Sequence, residues 1–350
     1  MWMRTRRLQV LAFILLCSTV LLLCFPLYSQ RSLFAPPSSG LSDDGTYRPS
    51  LFIAANLHNN EDILKRWMIQ AERVAHWAGT DRAYISVYES GSNDKTPEML
   101  ERWKKRLEAA NIRHTIVTHG AGFDGSLGRM TNLAKFRNEA LAPLTAEYEK
   151  ILFINDVVYE LSDAITLLNT QGGKYDAACA MDFFGQFYDV FATREITGKP
   201  LGSGNYPYFE DSASQKLLRA GEPVPVFSCW NGMVALNSAP FLQGHVSFRP
   251  LVPNDAAAPL EASECCLVFV DFRQLHYTRI FINPRVKVGY DGFHYWYARY
   301  ILPLWNPFLS MTNTPRHERT SAEEAEWNYR LSKIYELDVP ETDAPCFAMH

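Results

Sequence analysis

The amino-acid sequence predicts an α/β protein, a mostly parallel sheet with helices on both faces, preceded by an N-terminal membrane-spanning helix. Three observations carry this. Short apolar runs bounded by polar residues alternate with segments of helical period from Leu51 onward, the pattern of a crossover-connected sheet. The strand ILFI (residues 151–154) stops abruptly on Asn155-Asp156, as strands do where their carboxyl ends open onto a ligand crevice. Residues 8–28 contain no charge, enough at ~1.5 Å per residue to cross a ~30 Å hydrocarbon layer.

Arg4, Arg6 and Arg7 flank that apolar run on its N-terminal side, so the positive-inside rule predicts a single-pass, type II arrangement: residues 1–7 cytosolic, 8–28 a signal anchor, and everything after Tyr28 lumenal. The run exceeds the ~7–15 residues of a signal-peptide core and no small-x-small cleavage site follows. Residues 29–50, rich in Ser, Pro, Gly and Asp, read as a stem, too poor in apolar residues to fold alone. The composition is that of a globular chain, 350 residues with 47% apolar and 21% charged. A net charge of −4 and a pI near 6.2 give no footprint for a nucleic-acid partner. Of seven cysteines, Cys17 and Cys24 fall in the apolar run. The other five, Cys179, Cys229, Cys265, Cys266 and Cys346, are odd in number, so at least one stays free or pairs between chains, and spacing leaves the connectivity open.

LFIAANL (residues 51–57) reads as a buried strand. NEDILKRWMIQAERVAHWAG follows as a helix with acids in its first turn and Gly79 as its stop. AYISVYES is a second strand, then come a Gly-Ser-Asn-Asp turn, a charged helix from about Pro97 to Ala110, and the strand HTIVTH. An amphipathic helix carrying Arg137-Asn138 leads into ILFI. DAITLLNT reads as a short helix and YDAACAMD (residues 175–182) as a strand ending, like ILFI, on a carboxylate. Residues 183–221, rich in Gly, Tyr, Phe and Pro, read as a long functional loop. VFSCWNGMVALNS resumes a strand around an Asn-Gly turn, and SECCLVFVDFRQL is taken as a helix on its length and flanking charges. RIFINPRVKVGYDGFHYWY closes the lumenal domain (residues 51–306) as a strand and aromatic tail, with residues 307–350 peripheral.

Several candidate site residues sit where strands end. Asp156 is the first expected ligand of a divalent cation, with Asn155 beside it at the same nucleotide site, and Arg137 is expected to face an anionic ligand because a guanidinium fork matches phosphate. A solvated helix arginine is the competing reading. Glu89 and Asp94, around the turn after YISVYE, are candidates for hydrogen bonds to a nucleotide, though such turns are common. Trp230 offers a flat face for a sugar ring and Asn231 a paired donor and acceptor for its hydroxyls; a buried Trp beside a turn is the alternative. Glu264, opening the SECC helix, and Asp182 are candidates to hold the acceptor or stabilise a cationic sugar, against an ordinary first-turn glutamate favoured by the helix dipole. An Arg-Asn helix followed by an apolar strand ending in carboxylate resembles the GT-A nucleotide-sugar transferases, although Asn155-Asp156-Val157 carries one carboxylate where that fold has DxD. A departing nucleoside diphosphate gathers negative charge that Mg²⁺ or Mn²⁺ held by oxygen ligands neutralises. His294, in GYDGFHYW, is the second candidate metal ligand, suiting Mn²⁺ better than Mg²⁺.

FRNEAL, ILFINDVVY, DAACAMDF, CWNGM and SECCL, in this order behind an anchor, resemble the fungal capsule-associated α-1,3-mannosyltransferase family, glycosyltransferase family 69. The likeness runs from about Leu51 to Trp305. It implies a GT-A-like fold, GDP-mannose as donor, a divalent metal, and retaining transfer to a mannose hydroxyl of a glycan acceptor at the Golgi membrane, with other Golgi glycosyltransferases among the partners it allows. Two alternatives stay open: the same scaffold with another nucleotide sugar, and a non-catalytic glycan-binding or assembly protein, which the single carboxylate favours. No G-x-S-x-G elbow supports an anchored hydrolase.

Overall fold

A computed structural model describes residues 46–202, 204–243, 246–251, 261–312 and 341–348. The expected span at residues 8–28 lies outside them, as does most of the stem. Among the described residues no helix is long and apolar enough to cross a membrane.

Strands β1 (Leu51–Leu57), β2 (Ala83–Glu89), β3 (His114–Val117) and β4 (Lys150–Ile154) alternate with helices α1 (Glu61–Ala78), α2 (Thr96–Ala109) and α3 (Arg129–Leu141). After α4 (Leu161–Leu168) come β5 (Ala177–Phe184), β6 (Gln186–Phe187), β7 (Arg194–Glu195), α5 (Ser212–Ala220), β8 (Val224–Ser228), β9 (Met233–Asn237) and α6 (Ala239–Gln243). The described chain resumes with β10 (Glu261–Ala262), α7 (Glu264–Gln274), β11 (Ile280–Gly289), α8 (Gly292–Trp296) and α9 (Leu302–Thr312), and ends on β12 (Phe347–Ala348). The large sheet is ordered β3-β2-β1-β4-β9-β5-β11-β8-β7, with β6 on β5. Strands β1 to β5 and β11 run one way, while β9 and β8 run against them. The sheet is therefore mixed, its parallel part interrupted by β9.

Alternation along each strand divides the core. Leu51, Ile53, Ala55 and Leu57 of β1 pack with Trp67 of α1, Trp103 of α2 and Leu167 of α4 on one face. Phe52 and Phe153 pack with Phe136 of α3 and Phe269 and Phe272 of α7 on the other. Helix α1 starts with Glu61 and Asp62 in its first turn, favoured by the dipole, and stops at Gly79, whose φ of 102° suits glycine. Helix α7 is capped by Ser263, which accepts from the Cys266 amide.

Four expectations change. The segment expected to be a long loop contains α5, capped by Asp211 and ended by Gly221 at φ 68°. Strands β8 and β9 do not pair with each other although an Asn-Gly turn joins them: β9 lies between β4 and β5, and β8 lies beyond β11. The aromatic tail is helical, running from α8 through a π-helical turn into α9. The segment set aside as peripheral returns to the domain, with Cys346 bonded to Cys266, Phe347 buried and Asp343 paired with Arg249 at 2.9 Å. The last stem residues also dock, as the Tyr47 amide donates to Asn169 Oδ1 at 3.0 Å and Arg82 donates to the Arg48 carbonyl at 2.9 Å.

Candidate active site

The carboxyl ends of the parallel strands form one rim. Strand β1 leads to His58-Asn59-Asn60, β4 to Asn155-Asp156, β5 runs two residues past Asp182 to Phe184 instead of ending on that carboxylate, and β11 leads to Tyr290-Asp291 and α8. Because β9 runs the other way, its start brings Asn231-Gly232 between the ends of β4 and β5, where the Asn155 amide donates to the Gly232 carbonyl at 2.9 Å. Gly232 has φ 74°, and a Cβ there would lie 2.8 Å from Val157 Cγ1 and 3.3 Å from Asp182 Cβ. The segment after β4 and the Asp182 position of β5 thus approach a glycine with no room for a side chain.

Asp156 is half-buried, and its Oδ2 accepts one long hydrogen bond, 3.5 Å from Asn60 Nδ2. Burial raises its pKa, while Asn60, Arg137 and His58 pull it back. A carboxylate so lightly engaged keeps acceptor capacity for a cation or a donor group.

The neighbouring candidates are engaged with one another. Arg137 Nε donates to Glu264 Oε1 at 2.9 Å and Nη1 donates to Asn155 Oδ1 at 3.2 Å. Its guanidinium carbon lies 4.6 Å from the Trp230 ring centroid and 5.5 Å from that of Phe153. The guanidinium therefore holds α7 and the end of β4 together, with the Glu264 carboxylate as the anion it faces. Glu264, 2% exposed, is the buried partner of that ion pair and not a base open to an acceptor. Asn155 Oδ1 also accepts from Trp230 Nε1 at 3.1 Å, and its carbonyl accepts from Trp67 Nε1 at 3.0 Å, which makes Asn155 a junction within the protein.

Trp230 packs between Phe153 and Phe248 at centroid distances of 5.1 and 5.3 Å; at 2% exposure it presents no face to a sugar. Asn231, with φ 57°, has both ends of its amide in use. Oδ1 accepts from the Trp230 amide at 3.0 Å and Thr193 Oγ1 at 2.8 Å, and Nδ2 donates to the Ala180 carbonyl at 3.0 Å. Its turn role displaces the acceptor-binding one.

Asp182 is fully buried. Its Oδ1 accepts from the Asp189 amide at 3.1 Å and its Oδ2 from the Tyr290 hydroxyl at 2.8 Å. Desolvation first, then the Asp189 charge, raises its pKa. Asp189 in turn accepts from the amides of Ala192 at 3.0 Å and Asn231 at 3.1 Å, and burial raises its pKa too. Asp182 consequently shapes the 182–189 loop from inside, with both carboxylate oxygens already accepting from the protein.

The assignments after β2 also change. Glu89, fully buried, accepts from the amides of Ser92 and His119. Asp94 accepts from the Glu61 amide at 2.9 Å and the Thr96 amide at 2.8 Å; against the opposing effect of burial, hydrogen bonds from Thr96 and Glu61 hold its pKa below the usual value. Both carboxylates fasten turns through backbone amides.

His294 reaches the rim from α8. Its Nδ1 lies 2.7 Å from Asp291 Oδ2, and Asp291 Oδ1 caps the same turn by accepting from the His294 amide at 2.8 Å. In the tautomer where Nδ1 donates to Asp291, a neutral ring leaves the Nε2 lone pair for another partner. The ring packs 4.4 Å from Phe184, and Tyr188 lies 4.9 Å from Tyr290. Phe184, Tyr188 and Phe293 are more than half exposed. Reading by residue type missed this aromatic border, Asp189, Tyr290 and Asn60; the FFGQFYDVF run directly after Asp182 was the available signal. Among the described residues no group of three or more His, Cys, Asp or Glu side chains is arranged to hold a metal ion.

A family model described as Cryptococcal mannosyltransferase 1 matches residues 50–271. The alpha-1,3-mannosyltransferase CMT1 of Cryptococcus neoformans var. neoformans serotype D is 30% identical over 239 residues, 59% of this chain and 50% of that protein. The chain therefore spans about half the length of the curated relative it matches. Among solved structures, the mannosyltransferase PcManGT from Pyrobaculum calidifontis, in complex with GDP-Man and Mn2+, is 17% identical with a TM-score of 0.45, covering 92% of this chain and 80% of that one. S. aureus TarS 1-349 is 14% identical with a TM-score of 0.41, covering 68% and 59%.

Proposed function

Since the chain belongs to the cryptococcal mannosyltransferase 1 family, we propose that it is a hexosyltransferase of GT-A-like architecture that transfers mannose from GDP-mannose to a mannose hydroxyl of a glycan, in α-1,3 linkage with retention. The observation that carries this reading is Asp156, a half-buried carboxylate with one long hydrogen bond at the end of a parallel strand, where open α/β sheets bind ligands.

Carboxylate oxygen and imidazole nitrogen are the donor types that a divalent cation such as Mn²⁺ takes. Asp156 would hold it, with His294 Nε2 as a second ligand presented by Asp291. Remaining positions would be filled by the donor's phosphates, as Mg²⁺ and Mn²⁺ sites of few protein ligands are. When bound, the cation neutralises charge developing on the departing diphosphate. The Arg137–Glu264 pair serves by holding Asn155, and through it the turn that carries Asp156. The exposed rings of Phe184, Tyr188 and Phe293 take over from Trp230 as the surface for sugar faces. Retention leaves the departing phosphate to accept the acceptor's proton, so the protein's part is positioning and charge stabilisation.

A single-pass type II placement in the Golgi membrane completes the reading. It is supported by the charge-free run at residues 8–28 behind three arginines and by the two disulfides, which suit an oxidising compartment. The full chain in mild detergent, given GDP-mannose, Mn²⁺ and a short mannoside, is expected to add one hexose to the mannoside by mass. Asp156→Ala is expected to reduce that transfer about 100-fold or more; full activity in that variant removes Asp156 from the site. A glycan-binding protein without turnover is the second reading, favoured by the single carboxylate at the strand end, and GDP-mannose hydrolysis by the wild-type chain would count against it.

A further inference from the structure

Strand alternation puts Met181 and Phe183 on the face of β5 away from Asp182, and there they line a cavity of about 460 Å³. Lys287, paired in register with Met181 across β11 and β5, projects into it, and Tyr206 and Tyr208 wall it, their rings 5.6 Å apart and edge to face. Asn306 of α9 closes another side, and its Oδ1 is a buried acceptor without a hydrogen-bond partner among the described residues. Exposed Arg219 also lines the cavity, with Nη2 donating to Gln215 at 2.9 Å.

Among the described residues, none of those lining this space is acidic, and Lys287 has no ion-pair or hydrogen-bond partner. A desolvated ammonium without a counter-charge is costly. Burial, then the nearby Arg299 guanidinium, pulls its pKa down to about 8. Arg299 itself is spent on Asp163. What the cavity lacks is therefore a negative group for Lys287 and a donor for Asn306 Oδ1. Its volume is that of a small-molecule site, and tyrosine rings suit the faces of a sugar.

We infer that this cavity binds an anionic monosaccharide unit, its carboxylate or phosphate on Lys287 and a hydroxyl donating to Asn306. The inference stands apart from the transferase reading, since no residue of the rim takes part. The site would let the protein recognise charged glycans or sugar phosphates independently of the donor.

Calorimetric titration of the full chain in mild detergent at pH 7, with glucuronate, glucose 6-phosphate, inorganic phosphate and neutral glucose, tests it. At least one anionic sugar is expected to bind about tenfold or more tighter than glucose. Tighter glucuronate identifies a carboxylate ligand and tighter glucose 6-phosphate a phosphorylated one; inorganic phosphate binding as tightly as either sugar means that no sugar is recognised and overturns the inference. Lys287→Met is expected to weaken binding about tenfold or more without lowering thermal stability. Should that variant not fold, Asn306→Leu provides the second reading, with loss of the preference for the sugar over inorganic phosphate. No anionic sugar binding up to about 10 mM, or binding unchanged in the folded Lys287→Met protein, overturns the inference.

Discussion

At the scale of single residues, Arg137 separates a ligand-binding role from a structural one. Its partner Glu264 is 2% exposed, so Arg137→Ala leaves a buried carboxylate uncompensated, a change that costs about 3–5 kcal/mol. The double variant Arg137→Met, Glu264→Met removes both charges and is expected to recover most of that loss. Urea unfolding of the three proteins measures it; an unchanged midpoint in Arg137→Ala would return the guanidinium to solvent and to a possible phosphate. Asp182 makes a prediction about pH. Its folded pKa is raised, first by desolvation and then by Asp189, to about 7, whereas an unfolded aspartate titrates near ~4. The folded state therefore binds more protons than the unfolded one between these values, so stability falls as pH rises through that window and the loss is complete above it. Asp182→Asn cannot ionise, and is expected to flatten the stability profile between pH ~4 and ~7 and to gain roughly 1 kcal/mol or more at pH ~8. A profile of unchanged slope would show that Asp182 is not the buried proton.

At the scale of elements, the turn before β9 decides how the strand ends meet. Asn231 and Gly232 both have positive φ, the backbone of a hairpin turn, yet β9 leaves it to run between β4 and β5. Gly232→Ala combines an unfavourable φ with a Cβ 2.8 Å from Val157, and is expected to cost about 2–4 kcal/mol. Because Val157 follows Asp156, transfer should fall more than folded fraction does; activity per folded molecule equal to wild type would separate the turn from the site. The helix at SECC, ambiguous in its period, was read from its length and flanking charges, and in the structure Ser263 caps it. Helix α5 carried a comparable signal in Asp211 and Gly221, but its aromatic, glycine-rich surroundings masked it.

At the scale of the molecule, the segment at residues 341–348 is fastened by the Cys266–Cys346 disulfide, which spans 80 residues of sequence, and by Arg249 bridging Asp271 and Asp343 at 2.9 Å each. A loop of that length restricts the unfolded chain by about 4 kcal/mol in the chain-entropy account. Cys346→Ala is expected to lower the thermal midpoint by several degrees, roughly 2–4 °C per kcal/mol for a domain of this size; a midpoint unmoved by the variant would mean that the packing of Phe347 and Asp343 suffices. The two sides of the sheet have separate cores, so this fastening on the α7 side bears on the Arg137–Glu264 pair that α7 supplies.

By itself the sequence determined the order and type of most elements, the placement of Asp156 and Asp182 near the carboxyl ends of strands, an odd number of cysteines outside the apolar run, and the family. These are local properties: apolar period, caps and short motifs are written within a dozen residues. Which polar groups remain open to a ligand was decided only by the tertiary structure, because the groups that satisfy them are distant in the chain. Arg137 finds Glu264 127 residues away, Trp230 finds Asn155 75 residues away, and Asp182 finds Tyr290 108 residues away. A residue type announces what a side chain can bind, but burial and long-range hydrogen bonding determine how much of that capacity the protein has already used.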